Sequence, residues 1–405
     1  MKKKKKRIAI IGTVGVPAKY GGFETLAENL IKNLDDEYDI TVYCSGKKYK
    51  KMQRLKYYQN ARLKYLPLNP NGVCSLPYDT LSIIHSLAYA DILLILGIAG
   101  AWILPFVKIF SRKRIIVSID GIEWKSDKLN FFMKCYMFWA EKKAIKYSHI
   151  DISDNESIQD YTAMRYGSVS RVIEYGGDHT IMVKPGQKDK QEYPFLNGQY
   201  AFNVCNIEPD NNVHEILKAF SQLPKYTLVM VGDWNDSKYG IRLREQYGKY
   251  SNIHLLDPIY EQRRLDLLRG NALVYIHGHS GGGTNPSLVE AMSLGLPVIA
   301  YRVSYNRTTT DDKASYFKDH NDLKEIIKNI TIPELKEIGE NMKSIAQRRY
   351  TWAHISEKYK ALLAEALTIK SKDSITPKST EIETSKLLDM GIAHLKNQQQ
   401  FYEKR

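Results

Sequence analysis

The segment from Asn271 to Ala300 constrains the fold more than any other part of the chain. It begins with an apolar run, Ala272 to Ile276, in which β-branched and aromatic residues predict a buried strand, because the run is too short for a helix. A glycine-rich turn, His277 to Gly283, follows. Thr284 to Ser287 then supplies polar caps and a proline, which predict a helix from about Ser287 to Ser293.

This strand, turn and helix together predict a phosphate-binding site. A glycine loop lets a ligand approach the backbone closely, and the first helical turn presents unpaired N–H groups and a positive dipole end. Glu290 lies about one turn inside the predicted helix, where its carboxylate could accept hydrogen bonds from ribose or sugar hydroxyls. The alternative is a strand–turn–helix connection that binds no ligand and has a solvent-facing glutamate. Three consecutive glycines combined with a cap, Pro286 and Glu290 favour the ligand site.

Three motifs, in the order IGTVGVPAKYGGFET (Ile11–Thr25), SIDGIEWK (Ser118–Lys125) and SGGGTNPSLVEAMSLGLPVIA (Ser280–Ala300), carry a resemblance to a known family. As far as about Ala366 the chain resembles the family 4 retaining glycosyltransferases. The two amino-terminal motifs are similar to a bacterial subgroup with rhamnosyltransferases that build capsule, O-antigen and related cell-surface polysaccharides. The resemblance implies the GT-B fold, an α/β architecture of two Rossmann-like domains facing each other across a cleft.

The chain's 405 residues are enough for two separate cores, and predicted strands and helices alternate through both halves. The pattern also predicts individual elements: strands at 114–119, 150–153 and 227–231, and helices at 131–147 and 332–349. Glycine pairs and a charge run indicate an interdomain linker after the first half. The predicted organisation is an acceptor domain at 1–175 with a returning helix at 352–367, a linker at 176–199, a donor domain at 200–350, and a partly disordered tail with a possible helix at 369–405.

The resemblance implies roles for residues in both domains. The donor-binding residues are Asn206, Asn211, His279, Gly282, Gly283, Thr284, Asn285, Ser287, Leu288 and Glu290. The acceptor or cleft residues are Gly21, Gly22, Phe23, Glu24, Glu123 and Trp124. Asp120 and Glu290 are the catalytic candidates, and Asp120 could orient a sugar hydroxyl or stabilise positive charge on the sugar ring. Two alternatives stay open: that Gly21 and Gly22 form only a tight turn, and that Trp124 packs in the core.

The sequence departs from the wider family at three positions. Asn206 and Asn211 stand where the family has an arginine and a lysine for the donor diphosphate, and Gly282 holds the place of the first of two glutamates. Two cationic contacts are therefore missing or supplied elsewhere. Arg263 or Arg264 could replace them, with a solvated role as the alternative. The absence of a carboxylate at position 282 makes a deoxy-sugar donor more plausible, and weak activity stays open.

The charge balance, 59 Lys and Arg against 45 Asp and Glu, gives a net charge of +14. Such an excess suits nucleic acid, anionic lipid or phosphorylated substrates, and no nucleic-acid module is recognisable. We therefore expect an anionic membrane surface as a partner. Residues 47–64 mix tyrosines with cations, which predicts either a solvated helix face or contact with bilayer headgroups. Residues 91–110 are too short an apolar run for a membrane span; a buried strand followed by an apolar helix fits better, and a membrane-facing apolar patch is an alternative.

Neither a metal nor a cofactor is predicted. His277 and His279 are too few to hold a metal, and the glycines near Gly12 do not match a dinucleotide fingerprint, which argues against an oxidoreductase. The cysteines are isolated and make no metal pattern: Cys44, Cys74, Cys135 and Cys205. Reduced thiols predict a cytoplasmic protein, and the basic charge leads us to expect it to be peripheral at the inner face of the plasma membrane.

The expected activity is sugar transfer with retention of the anomeric configuration. The resemblance favours L-rhamnose from a dTDP-linked donor, moved onto a hydroxyl of a lipid-diphosphate-linked saccharide, with no nucleic acid involved. The alternatives are another donor, such as a UDP-hexose, and a catalytically weak partner in a polysaccharide assembly complex.

Overall fold

The computed structural model describes residues 5–18, 21–34, 37–119, 121, 124, 129–370 and 372. The chain divides into two compact units. The first comprises Met1–Glu174 and Ala353–Arg405, and the second comprises Tyr175–Trp352. Each unit has its own sheet, in which strands alternate with helices along the chain.

The sheet of the first unit has eight strands in the order β3-β4-β2-β1-β5-β6-β7-β8. The strands are β1 (Lys6–Ile11), β2 (Tyr38–Ser45), β3 (Tyr57–Tyr58), β4 (Ala61–Leu66), β5 (Ile92–Leu96), β6 (Arg114–Ile119), β7 (Ile150–Ser153) and β8 (Arg171–Val172). The helices are α1 (Gly22–Leu34), α2 (Ser75–Ser86), α3 (Leu104–Phe110), α4 (Phe131–Tyr147) and α5 (Glu156–Tyr166). The late helix α14 (Trp352–Thr368) also belongs to this unit from Ala353 onward. Among the described strands of this sheet, β3 alone pairs antiparallel, with β4. The central strand β5 is buried at every position, as a parallel strand covered on both faces requires.

The sheet of the second unit has six parallel strands in the order β11-β10-β9-β12-β13-β14. The strands are β9 (Tyr200–Val204), β10 (Thr227–Val231), β11 (Ile253–Leu256), β12 (Val274–His277), β13 (Val298–Tyr301) and β14 (Ser315–Phe317). The helices are α6 (Gln187–Glu192), α7 (Val213–Ser221), α8 (Lys238–Tyr247), α9 (Gln262–Gly270), α10 (Pro286–Ser293), α11 (Ser304–Thr309), α12 (His320–Asn329) and α13 (Ile332–Arg349). Its core joins strand residues such as Leu228 and Ile276 to Ile216 and Phe220 of α7.

The predicted α/β fold with two parallel sheets is confirmed, and β6, β7, β10, α4 and α13 have the predicted bounds. Residues 91–110 form β5 and α3, the predicted strand and apolar helix. Among the described residues no helix is long and apolar enough to cross a bilayer. Residues 176–199, predicted as a linker, fall in the second unit and carry α6 and a 3-10 turn at Pro194–Asn197. The predicted tail beyond residue 372 lies outside the described residues.

Residues 47–64 differ from the predicted helix face, because they contain β3 and β4. Ala61 and Leu63 are buried while Arg62 between them is exposed, an alternation that suits a strand near the sheet edge. The tyrosines of this run mostly bond to the protein. Tyr49 is buried and its hydroxyl donates to the Pro17 carbonyl at 2.9 Å, and the Tyr58 hydroxyl donates to Glu28 at 2.6 Å. Tyr57 is 49% exposed, so this run offers one exposed tyrosine to a bilayer.

Candidate functional site

The candidate site lies where the strand order of the second sheet reverses. From β9 the chain proceeds to β10 and β11 on one side, whereas β12, β13 and β14 lie on the other side. Ligands of open parallel sheets bind at the carboxyl ends of the strands at such a switch point. The loop after β9 (205–212) and the glycine turn after β12 (278–285) both begin there.

Hydrogen bonds tie these two loops together. Asn212, which has a left-handed backbone (φ +47°), donates from Nδ2 to the Gly278 carbonyl at 2.8 Å and to Ser280 Oγ at 3.0 Å. The Ser280 amide and hydroxyl both donate to the Asp210 carbonyl, at 2.8 and 2.9 Å. A Cβ at Gly278 would overlap the Asn211 carbonyl oxygen, so this close approach requires glycine.

The structure brings together Asn206, Asn211 and His279, three of the predicted donor-binding residues. Asn211 Nδ2 donates to the Asn206 carbonyl at 2.8 Å, and its Oδ1 lies 2.8 Å from His279 Nδ1. Because Asn211 is buried and bonded at both ends of its amide, it fixes the loop. It supplies no charge at the position where the family that this chain resembles has a cation.

The start of α10 differs in one respect from the expectation of unpaired amides. Asn285 caps the helix: its Oδ1 accepts from the Ser287 amide at 3.0 Å and from the Ser287 hydroxyl at 2.8 Å. The Leu288 amide donates to the Asn285 carbonyl at 3.0 Å, and the Leu288 side chain is in the core. The first helical turn therefore satisfies its own amides at Ser287 and Leu288, as an asparagine N-cap does.

The amides left for a ligand lie just before the helix. Within the described part of the chain, the N–H groups of Gly281, Gly282, Gly283 and Asn285 donate no hydrogen bond. Gly281 is exposed and Gly282 is half-buried, while Gly283 and Thr284 are buried. Consecutive amides in front of a helix N-terminus form a concave donor surface for an anion.

Glu290 is held by two side chains that the sequence did not indicate. Its Oε2 lies 2.6 Å from Arg269 Nη2, and its Oε1 lies 3.1 Å from His179 Nε2. Trp352 Nε1 donates to His179 Nδ1 at 3.1 Å, so Nε2 carries the proton that His179 donates to Glu290. Burial alone would raise the pKa of Glu290, but Arg269 and then His179 outweigh burial and hold the pKa below its ordinary value.

Arg269 forms the ion pair with Glu290, and its side chain is only 1% exposed. Its Nη1 lies 3.7 Å from Asp266 of the preceding turn of α9, and among the described residues its Nε and Nη1 have no hydrogen-bond partner. Of the two predicted replacement cations, Arg264 donates to the Tyr193 hydroxyl at 2.6 Å and pairs with Glu192, and Arg263 is exposed. The Asp-x-x-Arg spacing on the apolar side of α9 was the only sequence signal for Arg269.

In the first unit, Glu24 fixes the loop after β1. It is buried, its Oε1 accepts from the Val14 amide at 2.6 Å, and burial raises its pKa. Gly21 is exposed with φ +120°, and a Cβ there would overlap the Glu24 carboxylate. Gly22 begins α1, and Phe23 is half-buried. Glu24 thus fixes the backbone of this turn.

Trp124 packs within the first unit. Its Nε1 donates to the Tyr161 hydroxyl at 2.9 Å, and its ring meets Phe138 edge-on at 5.4 Å. The Arg165 guanidinium lies 5.1 Å from the ring centroid. These contacts agree with the packed alternative for Trp124. Asp120 and Glu123 lie outside the described residues.

Comparison with solved structures defines the fold. The fold is similar to that of sucrose-phosphate synthase from Thermosynechococcus elongatus, with a TM-score of 0.75, 15% identity, and coverage of 90% of this chain and 99% of that one. It is also similar to HepE of Anabaena in complex with UDP-glucose, with a TM-score of 0.67, 15% identity, and coverage of 89% and 99%. These similarities define the GT-B fold of glycosyltransferases.

Two sequence-family models match separate parts of the chain. Residues 186–350 match the family Glycosyl transferases group 1, and residues 5–178 match the domain of unknown function DUF1972. An uncharacterised glycosyltransferase of Methanocaldococcus jannaschii is 23% identical over 376 residues, which is 84% of this chain and 94% of that protein. The protein is a glycosyltransferase with a group 1 domain that contains the glycine turn and Glu290.

Proposed function

We propose that this glycosyltransferase moves a sugar from a nucleotide-sugar donor, with retention, onto a lipid-linked saccharide during the synthesis of a bacterial capsule, O-antigen or cell-wall polysaccharide. Our best candidate for the donor is dTDP-L-rhamnose. The observation that carries the proposal is the row of unoccupied amides at Gly281, Gly282 and Gly283, directly before α10 at the switch point of the sheet.

The proposed chemistry needs stabilisation of a departing diphosphate and of an electron-poor sugar ring. The glycine amides and the positive end of α10 meet the first need, because fixed donors stabilise charge as it develops. Glu290 stays ionised and oriented by Arg269 and His179, so it can accept hydrogen bonds from a donor hydroxyl. No step requires a metal, and we propose that none is obligatory.

A UDP-hexose is the second candidate donor. HepE, which shares the fold, is described in complexes with UDP and with UDP-glucose. The neutral Asn206 and Asn211 are compatible with either nucleotide. They also mean that fewer charge-assisted bonds hold the diphosphate, which favours a low affinity and keeps a catalytically weak partner role as the remaining alternative.

The test is calorimetric binding of dTDP-rhamnose and UDP-glucose, followed by mass-spectrometric detection of nucleotide release in EDTA with a membrane-lipid extract as acceptor. Asn285→Ala should weaken donor binding at least tenfold, because the glycine turn loses its anchor on the helix. Ser237→Ala is the matched control, since Ser237 caps α8 in the same way through Gly240 N at 3.1 Å, and it should leave donor binding unchanged. Failure to bind any dTDP- or UDP-sugar would refute the proposal.

A further inference from the structure

The first unit exposes an unusual number of large apolar side chains on two neighbouring helices. On α3, Phe106, Ile109 and Phe110 are exposed at 56, 69 and 81%. On α4, Phe131 and Phe132 are exposed at 74 and 81%. α3 packs against α4, so these residues belong to one surface.

The exposed side of α4 continues from aromatic residues into cations. Phe138 and Trp139 are exposed one to two turns after Phe132, and Lys142 and Lys146 follow at helical spacing. Lys143 lies 5.2 Å from the centroid of the Trp139 ring. We call this surface, made by the exposed residues of α3 and α4, the α3–α4 face.

The charge of the α3–α4 face is one-sided. α3 contains no acidic residue, and the single acidic residue of α4, Glu141, is buried and accepts a hydrogen bond from the Tyr161 hydroxyl at 2.6 Å. Arg112 and Lys113 follow α3 directly, so the cations border the apolar residues on that side as well. The exposed charges of both helices are therefore positive.

We infer that the α3–α4 face binds an anionic lipid bilayer, with the phenylalanines inserted at the level of the headgroups and the lysines at the phosphates. Aromatic residues with lysines on one side of a helix are typical of elements that lie in the membrane interface. Burial of a water-exposed Phe and approach of a Lys to anionic lipid both favour binding. The inference locates the membrane contact on α3 and α4 instead of residues 47–64, and it does not depend on the identity of the donor.

The test is sedimentation of the full-length protein with vesicles of phosphatidylcholine alone, or of phosphatidylcholine with 30% phosphatidylglycerol. The protein should sediment with the anionic vesicles. Phe110→Ala with Phe132→Ala should reduce the partition coefficient by at least about tenfold, since even partial insertion of two rings is worth more than 1.4 kcal/mol. Ile332→Ala is the matched control, because Ile332 is 59% exposed on α13 of the second unit, and it should stay within twofold of wild type.

A second experiment tests the charges of the face with the double variant Lys142→Glu with Lys146→Glu. Its control is Lys318→Glu with Lys336→Glu, which changes the net charge by the same amount. Only the first pair should lose anionic-vesicle binding by tenfold or more. Brominated lipid should quench Trp139, and the quenching should disappear in Trp139→Phe. Circular dichroism checks that each variant is folded.

Two results would overturn the inference. One is equal binding by the face variants and their controls. The other is that the wild type binds neither kind of vesicle but forms a concentration-dependent dimer, and that Phe110→Ala with Phe132→Ala abolishes this dimer. That result would assign the α3–α4 face to contact with a second copy of the chain. Donor binding is measured without vesicles, so failure of the sugar-transfer proposal and failure of this one are distinguishable.

Discussion

Replacing Arg269 by methionine tests the network around Glu290. The substitution keeps most of the aliphatic volume but removes the guanidinium that lies 2.6 Å from Glu290 Oε2. Arg269 is 1% exposed, so water has little access to replace the lost donor. Among the described residues, His179, at 3.1 Å, would remain as the partner of the carboxylate.

The structure sets the size of the effect. Removing one partner of a buried ion pair costs about 3–5 kcal/mol, because the other charge stays buried without compensation. For a unit of this size that corresponds to a fall in the thermal midpoint of roughly 6–20 °C. We therefore expect Arg269→Met to lower the midpoint of the second unit by an amount in that range.

The pH dependence gives a second signature. In the wild type the pKa of Glu290 is below its ordinary value of 4.5, so the ionised carboxylate stabilises the fold above that pH, and the stabilisation is lost as the pH falls further. Without Arg269, burial dominates and the pKa of Glu290 should rise. The penalty is then largest at high pH, and the stability gap between Arg269→Met and wild type should narrow from pH 8 to pH 5.

The assay is differential scanning calorimetry at several pH values for Arg269→Met, Glu290→Gln and the double variant. Arg269→Met should cost much less in the Glu290→Gln background, because position 290 then carries no charge and only the longer contact of Arg269 with Asp266, at 3.7 Å, is lost. Arg263→Met is the matched control, since Arg263 is exposed on the same helix and should shift the midpoint by no more than a degree or two. An equal cost in both backgrounds, at every pH, would refute the reasoning.

Three further predictions concern the turn and the first unit. Gly278→Ala should reduce donor affinity at least tenfold, because its Cβ would overlap the Asn211 carbonyl. Gly281→Ala is the control and should retain donor binding by calorimetry, because its Cβ would lie 3.3 Å from its nearest neighbour. Similar affinities of the two variants would contradict the contact between the two loops. Burial raises the pKa of Asp79 to about 8, so the wild-type fold loses stability as the pH rises from about 4 to 8. The thermal midpoint of Asp79→Asn relative to that of the wild type should therefore increase between pH 5 and pH 8. A constant difference between the two midpoints would show that Asp79 ionises freely. Trp124→Phe should lower the thermal midpoint of the first unit by a few degrees, because one hydrogen bond is lost, and it should leave the KM for the acceptor unchanged. An unchanged midpoint with a raised KM would favour contact between Trp124 and the acceptor.

The sequence predicts elements well where the apolar pattern agrees with burial. α4 and β6 have the predicted bounds because their pattern is bounded by polar turns. α2 was missed because its polarity is reversed: Asp79 and Ser82 are buried, whereas Leu81 and Ile84 are exposed. β4 was missed because its short alternation lies inside a run of charged residues.

The sequence predicted the local structure of the candidate site, but it did not predict the long-range contacts of Glu290. The strand, glycine turn, Asn285 cap and helix α10 are contiguous in the sequence, so their chemistry can be derived from spacing. The partners of Glu290 come from α9 and from the start of the second unit, 21 and 111 positions away for Arg269 and His179. Only the tertiary fold of the second unit brings these side chains together, and no local pattern encodes their contacts. Leu288 shows the reverse case, a residue next to the site whose side chain belongs to the core.

The most direct test of the central claim is a crystal structure of the protein soaked with dTDP-rhamnose or UDP-glucose. We predict that the diphosphate oxygens lie within about 2.7–3.2 Å of the amide nitrogens of Gly281, Gly282 or Gly283, in front of α10. A diphosphate bound elsewhere on the second unit, with these amides in contact with water alone, would contradict the account.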